Sequence, residues 1–153
     1  MHILIATDAQ WVLNEVTAAL ETPSTSFEVV SNGRHVSDAV KERTPDIAIL
    51  DLQVGTMGGM AITMDLRLDE SSGALPHVPI LMLLDRVADV HMARRSGANG
   101  WIIKPLDAMR LGKAVRNIVA GGSYTEGLPA EEVPVVEEPA TEDVVAEEAE
   151  TVS

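Results

Sequence analysis

Residues 46–52 read Asp46-Ile47-Ala48-Ile49-Leu50-Asp51-Leu52, and this stretch decides the fold. Its four apolar residues in a row do not alternate with polar ones, so the strand they predict is covered on both faces. It starts just after Pro45 and ends at Asp51, which puts a carboxylate at the end of a buried strand. The same grammar recurs on either side. Ile3-Leu4-Ile5-Ala6 stops at Thr7-Asp8, Ile80 to Leu84 stops at Asp85, and Trp101-Ile102-Ile103 stops at Lys104-Pro105. Phe27-Glu28-Val29-Val30 is a further strand. Helical periods fill the gaps. Val12, Val16, Ala19 and Leu20 share one face, closed by Pro23, and Val36, Ala39 and Val40 share another, opened by Gly33. Helices are also predicted over about 59–69, 86–96 and 107–120, the last with Leu111, Ala114, Val115 and Ile118 inward. Strand and helix thus alternate five times. Crossover helices make the pairing parallel, so the fold class is α/β, a doubly wound parallel sheet. In such sheets the site lies beyond the carboxyl ends of the strands. The side chains at those ends are Thr7, Asp8, Asp51, Leu84, Asp85 and Lys104.

Composition narrows the function. The 153 residues are 46% hydrophobic, enough for one core, and include no cysteine. Disulfides, thiolate metal sites and cysteine nucleophiles are therefore out. The four histidines, at 2, 35, 77 and 91, have no metal-ligand spacing. No apolar stretch approaches the roughly 20 residues of a membrane helix, and no export signal is visible, so the protein is expected to be cytoplasmic without direct membrane insertion. A net charge of −13 argues against nucleic acid as a partner. That charge is uneven. Residues 125–153 hold ten acidic and no basic residues, in a Pro/Glu/Val-rich run. The expected organisation is a domain over 1–120 and a disordered acidic tail over 121–153, starting at Gly121-Gly122. Truncation after Gly122 is expected to leave stability nearly unchanged.

Asp8 and Asp51 on neighbouring strands, with a backbone carbonyl, make a hard-oxygen site of the kind Mg²⁺ takes. Lys104 adds a mobile positive charge. A carboxylate nucleophile, a divalent cation and a lysine are what phosphoryl transfer onto Asp requires. Taken singly, each of the three is an ordinary strand-end residue with a counter-ion; together, each at a strand terminus, they point to chemistry.

The chain resembles the receiver domain of bacterial two-component response regulators over about residues 1–120. The resemblance rests on Ile3-Leu4-Ile5-Ala6-Thr7-Asp8, on residues 46–52, on Met57 with Gly59, on Pro79 to Leu83, and on Gly97-Ala98-Asn99-Gly100-Trp101-Ile102-Ile103-Lys104-Pro105. It implies a flavodoxin-like (βα)5 fold with strand order 2-1-3-4-5. It makes Asp51 the phosphoacceptor and Lys104 the phosphoryl-contacting residue. Asp8, Asp51 and the carbonyl of Gln53 become the metal ligands, Lys104–Pro105 a cis bond, and Trp101 the switch aromatic. A flavodoxin-like FMN protein of the same topology would need a phosphate loop after the first strand, and Asp8-Ala9-Gln10-Trp11 is not one.

Four positions depart from the family. Thr7 stands where a second acidic residue is usual, so Mg²⁺ is expected to bind weakly. Leu84 stands where a Ser or Thr usually couples the phosphoryl group to the switch aromatic. Asp85 replaces a small residue, and Gly55 replaces a loop proline. The implied function is that of a stand-alone, atypical receiver acting by protein–protein binding. In this reading it is a docking or regulatory subunit with degraded phospho-switching, its partner a protein or a larger assembly. The alternative is a working signalling protein that accepts phosphate from a histidine kinase at Asp51. Neither is an enzyme beyond self-phosphorylation. Between 86 and 116 the chain carries seven basic and two acidic residues. Arg94, Arg95, Trp101, Arg110, Lys113 and Arg116 are therefore the expected partner surface, facing an acidic partner or the tail; a plain solvated helix face explains the basic run as well, and Trp101 equally suits a partly buried place that stabilises the fifth strand.

Overall fold

All five residues of β1 (His2–Ala6), β3 (Ile47–Asp51) and β4 (Ile80–Leu84) are buried, as unbroken apolar runs require. In this computed structural model, which describes residues 1–127, they form the middle of one parallel sheet. β2 (Ser26–Val30) and β5 (Gly100–Ile103) are its edges, and the order is β2-β1-β3-β4-β5. Period-two alternation sends neighbouring residues to opposite layers. Leu4, Ala48, Leu50 and Ile80 pack under α2 (Val36–Glu42) and α3 (Gly59–Ser71), with Val36, Val40, Ile62 and Leu66. Ile3, Ile5, Ile49, Leu83 and Ile102 pack under α1 (Gln10–Leu20) and α5 (Ala108–Val119), with Val12, Val16, Leu111 and Ile118. Met82, Leu84 and Trp101 pack against Val90 and Ala93 of α4 (Val90–Ser96).

The predicted helix over 86–96 is two pieces. A single 3₁₀ turn, Val87–Asp89, precedes α4. Asp89 accepts the Arg86 N–H at 3.0 Å, and the turn ends there. Gly33 likewise opens a 3₁₀ turn, Gly33–His35, before α2. The side chain of Asn32 caps it by accepting the Arg34 N–H. α5 starts at Asp107, whose carboxylate accepts the Arg110 N–H at 2.9 Å. Arg67 on α3 ties the far ends of the strands together. Its guanidinium donates to the carbonyls of Gly97 and Val78 and to Oδ1 of Asn99. No helix of the described residues is long and apolar enough to cross a membrane.

One boundary needs correcting. Residues 123–127, assigned to the tail on composition, lie hydrogen-bonded along β5. Gly100 and Tyr124 form a parallel bridge, and the Trp101 N–H donates to the Tyr124 carbonyl at 2.8 Å. A side chain at position 100 would run into that carbonyl, so only glycine lets the segment close in. Tyr124 also packs on the α1/α5 core. The cut after Gly122 would remove all of these contacts, so it is not neutral. Composition missed this because one tyrosine and one carboxylate make the contacts inside a polar stretch. The remainder of the proposed tail, 128–153, lies outside the described residues.

Candidate functional site at the strand ends

Asp51 closes β3 with its side chain 2% exposed, and both of its oxygens are engaged. The Lys104 ammonium donates to Oδ1 at 2.6 Å, and the Thr7 hydroxyl donates to Oδ2 at 2.8 Å. Thr7 Oγ1 in turn accepts the Ala9 N–H at 3.1 Å, which fixes the hydroxyl at the start of α1. Thr7, singled out in the sequence for the charge it lacks, is thus a hydrogen-bond donor to the carboxylate.

Lys104 extends from just beyond β5, where the Lys104–Pro105 bond is cis. Its ammonium is shared. It also donates to Asp85 Oδ1 at 2.8 Å, and it lies 5.5 Å from the ring centre of Trp11. Burial works to lower its pKa, but the hydrogen bonds and charges of Asp51 and Asp85 outweigh this, so its pKa lies above the ordinary lysine value. Lys104 therefore stays charged between two carboxylates, one buried and one 37% exposed. Asp85, the acid that stands in place of a small residue, is thus the second partner of Lys104.

Asp8 is exposed beside this cluster. A Cβ on Gly55 would stand 3.1 Å from Asp8 Oδ2, so a proline there would press on the carboxylate. The next residue, Thr56, is held at φ 68°, a left-handed conformation that β-branched residues rarely adopt. Its hydroxyl donates to Asn32 Oδ1 at 2.6 Å.

Carboxylate and carbonyl oxygens are the donors a hard cation takes, and the resemblance is what would assign them here. Among the described residues, no three His, Cys, Asp or Glu side chains converge as a metal cage. By the resemblance, Asp8, one oxygen of Asp51 and the Gln53 carbonyl would hold Mg²⁺. When bound, the ion would neutralise charge on a transferring phosphoryl group.

At the switch position, Leu84 is wholly buried against Met82, Val90, Ala93 and Trp101. Trp101 is only 4% exposed. Its indole N–H donates to the Glu126 carbonyl at 2.9 Å. Arg110 is also engaged, by Asp107 and Glu126, and its guanidinium donates to the Pro105 carbonyl as well. Two members of the expected partner surface are therefore not free for a partner as the chain stands. Trp101 is inside, and the chain's own C-terminal segment uses Arg110. Arg94, Arg95, Lys113 and Arg116 are exposed as expected.

The sequence reading overlooked Glu126 and Tyr124. The available signal was slight: the chain's one tyrosine stands two residues before the first acid after Gly121-Gly122.

Asp85→Ala should raise the reactivity of Asp51 toward a small acyl-phosphate donor. Removing Asp85 leaves Lys104 to Asp51 alone and removes an anion from the approach of an anionic donor. A neighbouring unit charge at this depth is worth about one pKa unit, so the rate should rise roughly tenfold. Labelling kinetics measure it, and an unchanged rate would show that Asp85 has no influence on the approach.

A family model described as the response regulator receiver domain matches residues 3–116. The chain is 28% identical over 120 residues to Protein PilH of Pseudomonas aeruginosa, covering 78% of this chain and 98% of PilH. It is 30% identical over 131 residues to Response regulator protein VraR of Staphylococcus epidermidis, covering 82% of this chain but only 60% of VraR. Among solved structures, the receiver domain of sensor histidine kinase PA1611 from Pseudomonas aeruginosa aligns with a TM-score of 0.68 at 19% identity. That match covers 78% of this chain and 97% of the other, which is described with a magnesium ion coordinated in its active-site cleft.

Proposed function

This chain belongs to the response regulator receiver domain family, and from that premise we propose that it acts by binding another protein, as a docking or regulatory subunit whose phospho-switch is degraded. The observation that carries this is Leu84. A hydroxyl there would link a phosphoryl group on Asp51 to the aromatic on β5. Leu84 has no hydrogen-bonding side-chain group and is packed into the core between them. The lever end is also held, because the Glu126 main-chain carbonyl accepts the Trp101 indole N–H. A cytoplasmic location and an atypical, non-enzymatic role follow from the same reading.

Asp51 keeps its nucleophile. Its carboxylate oxygen attacks the donor's phosphorus, a new O–P bond forms, and the donor's bond to phosphorus breaks with the electron pair leaving on the donor. Lys104 holds positive charge beside the oxygen while this occurs. A functioning switch driven by a histidine kinase is the second reading, favoured by the intact Asp51–Lys104 pair. The two part on one measurement. With Mg²⁺ and an acyl-phosphate donor, the Trp101 indole and β5 amide resonances should keep their positions even in the phosphorylated fraction. Shifts that grow with that fraction would overturn the docking reading in favour of the second.

Mg²⁺ should bind weakly, because affinity for hard cations follows ligand charge and this site offers two carboxylates, one already bridged to Lys104. Trp11, stacked near Lys104, reports binding through its fluorescence. Saturation in the micromolar range would contradict the expectation.

A further inference from the structure

The segment 123–127 touches β5 in a way that defines a site rather than a mere covering. Glu126 is its centre. Its Oε1 accepts the Ile103 N–H at 2.9 Å, where the next acceptor of a strand ladder would stand. The Arg110 guanidinium reaches both carboxylate oxygens at 2.8 Å. The Tyr124 hydroxyl donates to Oε2 at 2.9 Å, and the Glu126 main-chain carbonyl accepts the Trp101 indole N–H. Two residues before Ile103 along β5, the Trp101 N–H donates to the Tyr124 carbonyl. The domain thus supplies two edge amides, an indole N–H and a guanidinium, all converging on an extended peptide with an aromatic residue two positions before a carboxylate.

The carboxylate also governs its surroundings. The hydrogen bond from Arg110 to Glu126 raises the Arg110 pKa. Burial, followed by the bond to Glu126, raises that of Tyr124. Four donor contacts, from the Ile103 amide, the Arg110 guanidinium on both oxygens and the Tyr124 hydroxyl, meet the carboxylate, which suits the site to an anion. The occupant is also releasable. It follows Gly121 and Gly122, both exposed, and Gly121 sits at φ 95°, a conformation open to glycine and few others. Within the ladder it takes a main-chain bond from the Trp101 amide, and the rest of its hold runs through the Glu126 side chain and the Trp101 indole, contacts that a competing strand of the same pattern would replace.

We propose that the edge of β5, with Arg110 and the Trp101 indole, is a binding site for an extended partner strand bearing an aromatic-x-carboxylate pattern, and that residues 123–127 occupy it in cis until that partner displaces them. The inference rests on the docking reading above and names the partner's chemistry. Recognition combines strand addition, which supplies main-chain hydrogen bonds, with a charge-assisted carboxylate pocket, which supplies specificity. Tethering gives the cis segment an effective concentration on the order of millimolar, so only a partner strand with more contacts than Tyr124 and Glu126 provide can win.

The test uses the full chain and the capped peptide Gly-Gly-Ser-Tyr-Thr-Glu-Gly, the sequence of residues 121–127. In Glu126→Ala, the Trp101 indole and Ile103 amide resonances should move, and added peptide should return them toward their wild-type positions. Labelled peptide should bind Glu126→Ala at least about tenfold more tightly than it binds the wild-type chain, because the cis carboxylate no longer competes. A peptide with Gln in place of Glu should bind that variant about tenfold more weakly, the loss expected for one charge-assisted bond. Arg110→Ala, combined with Glu126→Ala, should erase the difference between the two peptides. Equal binding to wild type and variant, no binding to either, or a concentration-dependent dimer that exchanges its 123–127 segments would overturn the proposal. Its failure is distinct from failure of the docking reading. The latter falls only if phosphorylation moves Trp101, a result independent of any peptide.

Discussion

Asp51→Asn should remove all acyl phosphate that the chain takes up from a small donor in the presence of Mg²⁺. Lys104 pairs with Asp51 and Asp85, Asp8 follows β1 at the same end of the sheet, and exposure alone would favour Asp8 or Asp85. Reactivity is decided by the surroundings of the oxygen instead. Asp51 alone has a donor on each oxygen, Lys104 on one and Thr7 on the other, and these groups remain in place as charge builds on the incoming phosphoryl group. The asparagine amide has no anionic oxygen and cannot take over as nucleophile. The fold should survive the change. The Asn carbonyl can still accept from Thr7, and Lys104 keeps Asp85 at 2.8 Å. Acid-labile, hydroxylamine-sensitive label measured on intact protein decides the matter. Label persisting in Asp51→Asn would move the acceptor to a neighbouring carboxylate.

Leu84→Thr should cost about 2–4 kcal/mol of stability, the range for shortening a buried leucine and burying a hydroxyl in its place. The side chain is fully enclosed by Met82, Val90, Ala93 and Trp101, and the Glu126 contact on Trp101 restrains the indole from moving in to fill the gap. The substitution therefore restores the residue type usual in the family at a site that has been repacked around its absence. Urea unfolding should show a lower midpoint at an unchanged slope. A loss below about 0.5 kcal/mol, as for a surface site, would mean that the cluster is looser than its burial indicates.

Much of this molecule was legible from one rule applied repeatedly. Unbroken apolar runs such as Ile47 to Leu50 belong to strands covered on both sides, and each run ended on a residue that now lies at one end of the sheet. Asp51, Lys104 and Asp85 meet there as the strand ends implied, because parallel pairing puts every carboxyl end on the same side. Neighbouring-strand geometry says nothing about hydroxyl direction, so the bond from Thr7 to Asp51 was invisible. Trp101 stayed open between a partner surface and a place in the core for a related reason. Amphipathic residues suit both an interface and a core, and only the packing of α4 against β4 and β5 places this one inside. The 3₁₀ turn before α4 depends on Asp89 turning back to Arg86, a local choice that averaged periodicity does not record. Residues 123–127 escaped because a polar, glycine-flanked stretch has the composition of a tail even when two of its side chains find partners.

The sheet has two outer strands, and each meets solvent differently. β2 carries Glu28 in its middle, partly exposed, and a charge there discourages another molecule's strand from adding on. β5 reads Gly-Trp-Ile-Ile, with no charge to perform that service. Its open amides are instead met by Tyr124 and Glu126. Covering those amides should also guard the chain against edge-to-edge aggregation. Variants that loosen the segment 123–127 should precipitate sooner on concentration or gentle heating than their small loss of folding stability would explain, and a bound peptide should restore their solubility.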